Sequence, residues 1–81
     1  MRVEVFVTPK RGVLDPQGRA VEHSLLSLGF KQARNVRVGK YILLEVDAGS
    51  AAEARRIVQH MCERLLANTV IEDYRLEVEG E

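Results

Sequence analysis

Hydrophobic and polar residues alternate from Arg2 to Thr8, with Val3, Val5 and Val7 on one side and Arg2, Glu4, Phe6 and Thr8 on the other. Such a period of two sends successive side chains to opposite faces, so the stretch predicts a half-buried strand, ended by Pro9. After the basic loop Lys10-Arg11-Gly12-Val13-Leu14 comes Asp15-Pro16, an N-cap carboxylate followed by proline at the first helical position, where no amide hydrogen is needed. Val21, Leu25 and Leu28 then recur at i, i+4 and i+7 as the inner stripe of a helix starting at Pro16. Gly29 is placed to take a left-handed conformation beyond the helix end, which folds Phe30 back onto Leu25.

From Ala33 to Asp47 the pattern is extended and broken at Gly39-Lys40, with Val36 and Val38 before the break and Tyr41-Ile42-Leu43-Leu44-Glu45-Val46 after it. It reads as two strands joined by a turn, or as one long strand bent at a bulge at Gly39. Ser50-Ala51-Ala52-Glu53 is a capping box, and Ala54, Ile57, Val58, Met61 and Leu65 form the apolar stripe of the helix it opens. Asn68 is a natural left-handed terminator, and a last strand runs from Val70 to about Glu79 with Tyr74, Leu76 and Val78 on one face. The order is β-α-β-β-α-β, or β-α-β-α-β if the middle strand is continuous. Either predicts an α+β two-layer sandwich of ferredoxin-like type, an antiparallel sheet with two helices on one face. The other face is then bare, and the alternation points Phe6, Tyr41, Leu43 and Ile71 towards it, beside Arg2, Glu4, Glu45 and Arg75. Such a mixed apolar patch on a small domain reads as a self-association surface.

Composition sharpens this picture. Eighty-one residues, 46% of them hydrophobic, make one small domain over residues 1–81. A compact fold of this length has a radius of gyration of about 12 Å and a thin core, so burial in an oligomer would help it. The single cysteine excludes an internal disulfide, no Cys/His set has metal-site spacing, and the longest apolar run, Tyr41 to Leu44, is too short to cross a bilayer. These features suit a reducing, cytoplasmic setting.

Twelve basic groups balance twelve acidic ones, which argues against a dedicated nucleic-acid binder. The charge is nevertheless segregated: residues 1–40 hold eight basic and three acidic groups, net +5, while residues 41–81 hold four basic and nine acidic groups, net −5. Either the halves interleave on folding and neutralise one another, or the surface is bipolar and suited to association. Lys10-Arg11-Gly12 and Arg37-Val38-Gly39-Lys40 are solvated turns, or they contact an acidic protein surface or a nucleotide. Nothing assembles into catalytic machinery: His23 and His60 fall on the polar sides of their helices, and Cys62 borders an inner stripe as a buried thiol. A small regulatory module that binds a ligand between protomers is the alternative to a scaffold.

The string Gly12-Val13-Leu14-Asp15-Pro16-Gln17-Gly18, then Leu28-Gly29-Phe30, Val36-Arg37-Val38-Gly39-Lys40, Met61-Cys62, Leu65-Leu66-Ala67-Asn68 and Val70-Ile71-Glu72-Asp73-Tyr74, closely resembles the PurS family. One departure is Thr69, where that family more often has proline. The resemblance implies a small, non-catalytic subunit of phosphoribosylformylglycinamidine synthase in de novo purine synthesis. It implies two larger partners, a PurQ-type glutaminase that releases ammonia and a PurL-type synthetase that uses ATP and Mg, with no cofactor in the small subunit. It further implies a homodimer, with a tetramer open as the isolated form, that bridges the partners. Lys10, Arg11, Asp15, Gln17, Arg37 and Lys40 are the expected partner contacts.

Overall fold

The computed structural model describes residues 1–80. The elements run strand β1 (Arg2–Pro9), helix α1 (Pro16–Ser27), strand β2 (Lys40–Glu45), helix α2 (Ala51–Met61) with a π-helical turn (Cys62–Leu66), and strand β3 (Glu72–Val78). The three strands form an antiparallel sheet in the order β2-β1-β3, with Phe6 opposite Tyr41 on one side and Arg75 on the other. This is the ferredoxin-like α+β arrangement the pattern predicts, in its β-α-β-α-β form.

Residues 33–39 hold no strand, so the sheet has neither the extra strand before Gly39 nor a continuous bent one. Gly39 is instead a point of close approach: a Cβ there would lie 2.0 Å from the Val7 carbonyl oxygen. Only a residue without a side chain passes that carbonyl, and β2 begins immediately afterwards.

One face of the sheet carries the core. Val3, Val5 and Val7 are fully excluded from solvent, as the alternation requires, and pack with Leu76, Val78, Val46, Ala54, Val58, Cys62 and Ala67. Each buried valine contributes about 1.5–3 kcal/mol relative to an exposed one. Helix α2 opens on Ser50, whose hydroxyl accepts the Glu53 amide at 3.1 Å, while the Glu53 carboxylate accepts the amide of Gly49, one residue before the cap. Its buried stripe is Ala54, Val58 and Cys62, and not the Met61 and Leu65 expected from helical spacing, which are exposed. The Ala67 amide donates to the Cys62 carbonyl at 3.1 Å, five residues back, so the last turn is wider than an α-turn and its frame shifts. Ala67 leaves the helix extended, and Asn68 is not left-handed: its side chain accepts the Val70 amide at 3.2 Å and its carbonyl accepts Ile71 and Glu72.

Helix α1 starts at Pro16 and ends as predicted, with Gly29 at φ 96° and the amides of Gly29 and Phe30 donating to the carbonyls of Leu26 and Leu25. Its stripe does not enter the core, however. Only Gly18 is buried in this helix, and Leu28 remains 73% exposed. The molecule is accordingly elongated, 50 × 25 × 14 Å with a radius of gyration of 15.8 Å, well above the compact expectation. A helix that stands off the core adds length without adding burial.

Candidate functional site

Two surfaces stand out. The first is the outer face of the sheet, opposite the core. Strand register stacks Tyr41, Phe6 and Arg75 in a row: the aromatic centroids lie 5.2 Å apart and the Arg75 guanidinium sits 4.2 Å over the Phe6 ring. Tyr41 donates to the Glu4 carboxylate at 3.0 Å, and Arg75 pairs with Glu77. Desolvation, aided by Glu4, raises the Tyr41 phenol above its ordinary value of 10.0. Leu43, opposite Glu4, is 52% exposed, and Tyr41 56%. Ile71 lies apart from this row, lining a small cleft with Pro9, Leu14 and Gln17.

The second surface is a cleft of about 920 Å³ between the 10–15 loop, the start of α1 and residues 35–37. Gly12 turns the loop with φ 80°, and the Lys10 amide donates to the Ile71 carbonyl at 2.9 Å, fixing its entry. Asp15 caps α1 by accepting the Gly18 amide at 3.0 Å with one oxygen, and accepts the Val38 amide at 2.9 Å with the other. Two helical turns on, the Glu22 carboxylate accepts the Val36 amide at 3.0 Å. Gly18 lets the segments meet, since a Cβ there would stand 2.4 Å from the Val36 carbonyl oxygen. The Gly18 and Val38 amides, helped by the Gln17 amide and the Arg37 charge, hold the Asp15 carboxyl below its ordinary 3.8 against partial desolvation.

Of the residues singled out in the sequence, Lys10, Arg11, Asp15 and Arg37 come together here. Gln17 lines the neighbouring small cleft, and Lys40 lies elsewhere, its ammonium donating to the Leu66 carbonyl at 3.0 Å. Sequence reasoning missed Arg19, Glu22 and Val36, which also line the large cleft. Positions 15, 19 and 22 follow helical spacing, a signal that would have placed Arg19 and Glu22 on the same face as Asp15. The lining is mainly charged side chains and loop backbone, so it offers contact and charge. His23 and His60 are exposed, and burial, with a smaller push from Glu63, raises the Cys62 thiol above 9.0. Among the described residues no helix is long and apolar enough to cross a membrane.

Residues 2–80 match the family model for PurS: phosphoribosylformylglycinamidine (FGAM) synthase. The phosphoribosylformylglycinamidine synthase subunit PurS of Bacillus subtilis is 51% identical over 78 residues, covering 96% of this chain and 92% of the relative. The corresponding PurS subunit of Synechocystis is 46% identical over 74 residues, covering 91% and 74%. In three dimensions a crystal form of Bacillus subtilis PurS superposes with a TM-score of 0.86 over 96% of both chains at 51% identity. A chain of the Thermotoga maritima PurLQS structure superposes equally well, with a TM-score of 0.86 at 34% identity, over 95% of this chain and 94% of that one. With the family model matching residues 2–80 and relatives this similar over nearly the whole chain in sequence and in fold, the chain belongs to the PurS family.

Proposed function

We propose that this chain is the small, non-catalytic subunit of a cytoplasmic FGAM synthase, joining a PurQ-type glutaminase to a PurL-type synthetase. The match over residues 2–80 carries the reading, supported by the likeness to a chain of PurLQS. The complex would convert formylglycinamide ribonucleotide, ATP, glutamine and water to formylglycinamidine ribonucleotide, ADP, phosphate and glutamate, with ATP and Mg used by the large subunit. Ammonia passed between two active sites is lost once it meets bulk water and is protonated. A subunit that aligns and seals the joint between them therefore raises the yield of glutamine-driven synthesis without doing chemistry.

In this reading the subunit acts as a homodimer through the outer sheet face, where Phe6, Tyr41 and Leu43 present apolar surface framed by Glu4 and Arg75. Assays with and without the chain test the proposal, the glutaminase and synthetase being present in both. Omitting it should depress glutamine-dependent turnover and spare ammonia-dependent turnover; equal glutamine-driven rates would end the bridging model. The dimer is tested by sedimentation of Tyr41→Glu with Leu43→Glu, which should shift the protein to monomer. An unchanged sedimentation coefficient would move the interface elsewhere.

A further inference from the structure

The large cleft is not explained by capping or packing alone. Four cationic side chains, Lys10, Arg11, Arg19 and Arg37, line it against two carboxylates, Asp15 and Glu22. Both carboxylates are turned to backbone amides, those of Gly18, Val38 and Val36, so their oxygens are largely occupied in holding α1 to the following segment. Among the described residues, Arg11, Arg19 and Arg37 form no salt bridge, and Lys10 has only a loose contact with Asp73 at 3.9 Å. The three arginines reach this lining from a loop, a helix and an extended connection, which puts positive charge on three of its sides. Planar guanidinium forks match the oxygens of a phosphate in pairs, and a concave wall strengthens their field. Val13, Leu14 and Val36 add an apolar strip beside the charges. A volume of about 920 Å³ is at the upper end of small-ligand sites, room enough for a phosphate with an organic body attached.

We infer that this cleft binds the phosphate group of a small organic phosphate, with Arg11, Arg19 and Arg37 as its ligands and Val13, Leu14 and Val36 against the organic part. The site goes beyond the bridging role, which needs no small molecule on this subunit. It gathers four of the eight basic groups of residues 1–40 on one side of the molecule.

Amide shift mapping of the full-length chain with AMP, ribose 5-phosphate, inorganic phosphate and succinate tests the inference. Saturable shifts are expected at residues 11–14, 19 and 36–37, with the organic phosphates binding more tightly than inorganic phosphate, succinate weakest, and affinity falling as salt rises. Arg19→Gln and Arg37→Gln, both exposed positions, should each weaken AMP binding about tenfold, while Arg56→Gln on the solvent side of α2 should leave it unchanged. Shifts scattered over all basic surfaces, equal affinity for succinate, or indifference to the Arg19 and Arg37 substitutions would overturn it. So would saturable binding only of acidic peptides, which would make the cleft a protein contact. None of these outcomes depends on the glutamine assay, so this site and the bridging role stand or fall separately.

Discussion

Asp15 ties helix α1 to Val38: the carboxylate that caps the helix at the Gly18 amide also accepts the Val38 amide, at 2.9 Å, across twenty-three residues of sequence. One side chain therefore holds both the start of the helix and the segment that leads into β2. Because the helix contributes nothing to the core, this bond and its partner from Glu22 to Val36 fix where α1 stands.

A pH dependence follows from that geometry. The folded Asp15 carboxyl titrates below its ordinary 3.8, so its stabilisation is complete above that value and disappears as pH falls through the lowered one. Urea unfolding of the protein and of Asp15→Asn, compared from neutral pH downwards, should show a stability gap near neutrality that closes in acid. Asp15→Ala should lose more than Asp15→Asn, because the amide oxygen still accepts one backbone hydrogen. A gap that persists unchanged at the lowest pH would show that the charge is irrelevant.

Gly39→Ala should be the most damaging of the glycine-to-alanine changes outside the helices. Its methyl group would meet the Val7 carbonyl oxygen at 2.0 Å and Thr8 Cα at 3.2 Å, so the central strand or the entry to β2 must shift. The cost is of the order of overpacking, about 1–3 kcal/mol or more. Gly12→Ala meets nothing within 4 Å and bears only its left-handed backbone at φ 80°, about 1–2 kcal/mol. Denaturation midpoints of the two variants should keep that order.

Cys62 should be silent to thiol reagents in the native protein. Its side chain has 0% exposure and burial pushes its thiol above 9.0, so both access and thiolate are lacking at mildly alkaline pH. Labelling should be slow without denaturant and fast in urea, and the native rate measures opening of the α2 layer. Cys62→Ser should cost about 1–3 kcal/mol by burying a hydroxyl among Val3, Val5, Val58 and their neighbours. Rapid native labelling would contradict this account of the core.

The first strand and both helix starts were legible because their signals are local, whereas the last strand begins at Glu72, two residues after the expected Val70. Val3, Val5 and Val7 alternate into the core, Asp15-Pro16 and Ser50 cap their helices, and Gly29 closes the first one. What was not legible depends on contacts between distant segments. The stripe of Val21, Leu25 and Leu28 has helical spacing whether or not anything covers it, and this chain leaves it outside its own core. Gly39 announced a break, but only the crossing of Val7 explains it. At the end of α2 the buried stripe runs on from Ala54 and Val58 to Cys62, at i+4 spacing and one position past Met61, and in the π-helical turn that follows Leu66 and not Leu65 packs against the core. The cleft was half visible: the basic loop and Arg37 were noticed, while Arg19 and Glu22 read as ordinary solvated positions until α1 was placed.

The central place of β1 in the sheet sets an order of events during synthesis. Of the three strands it is made first, yet one edge waits for residues 40–45 and the other for residues 72–78. The sheet around Val3, Val5 and Val7 is therefore complete only once translation has passed Val78, and closure joins segments some seventy residues apart. A chaperone acting on the nascent chain would have its target in that opening strand.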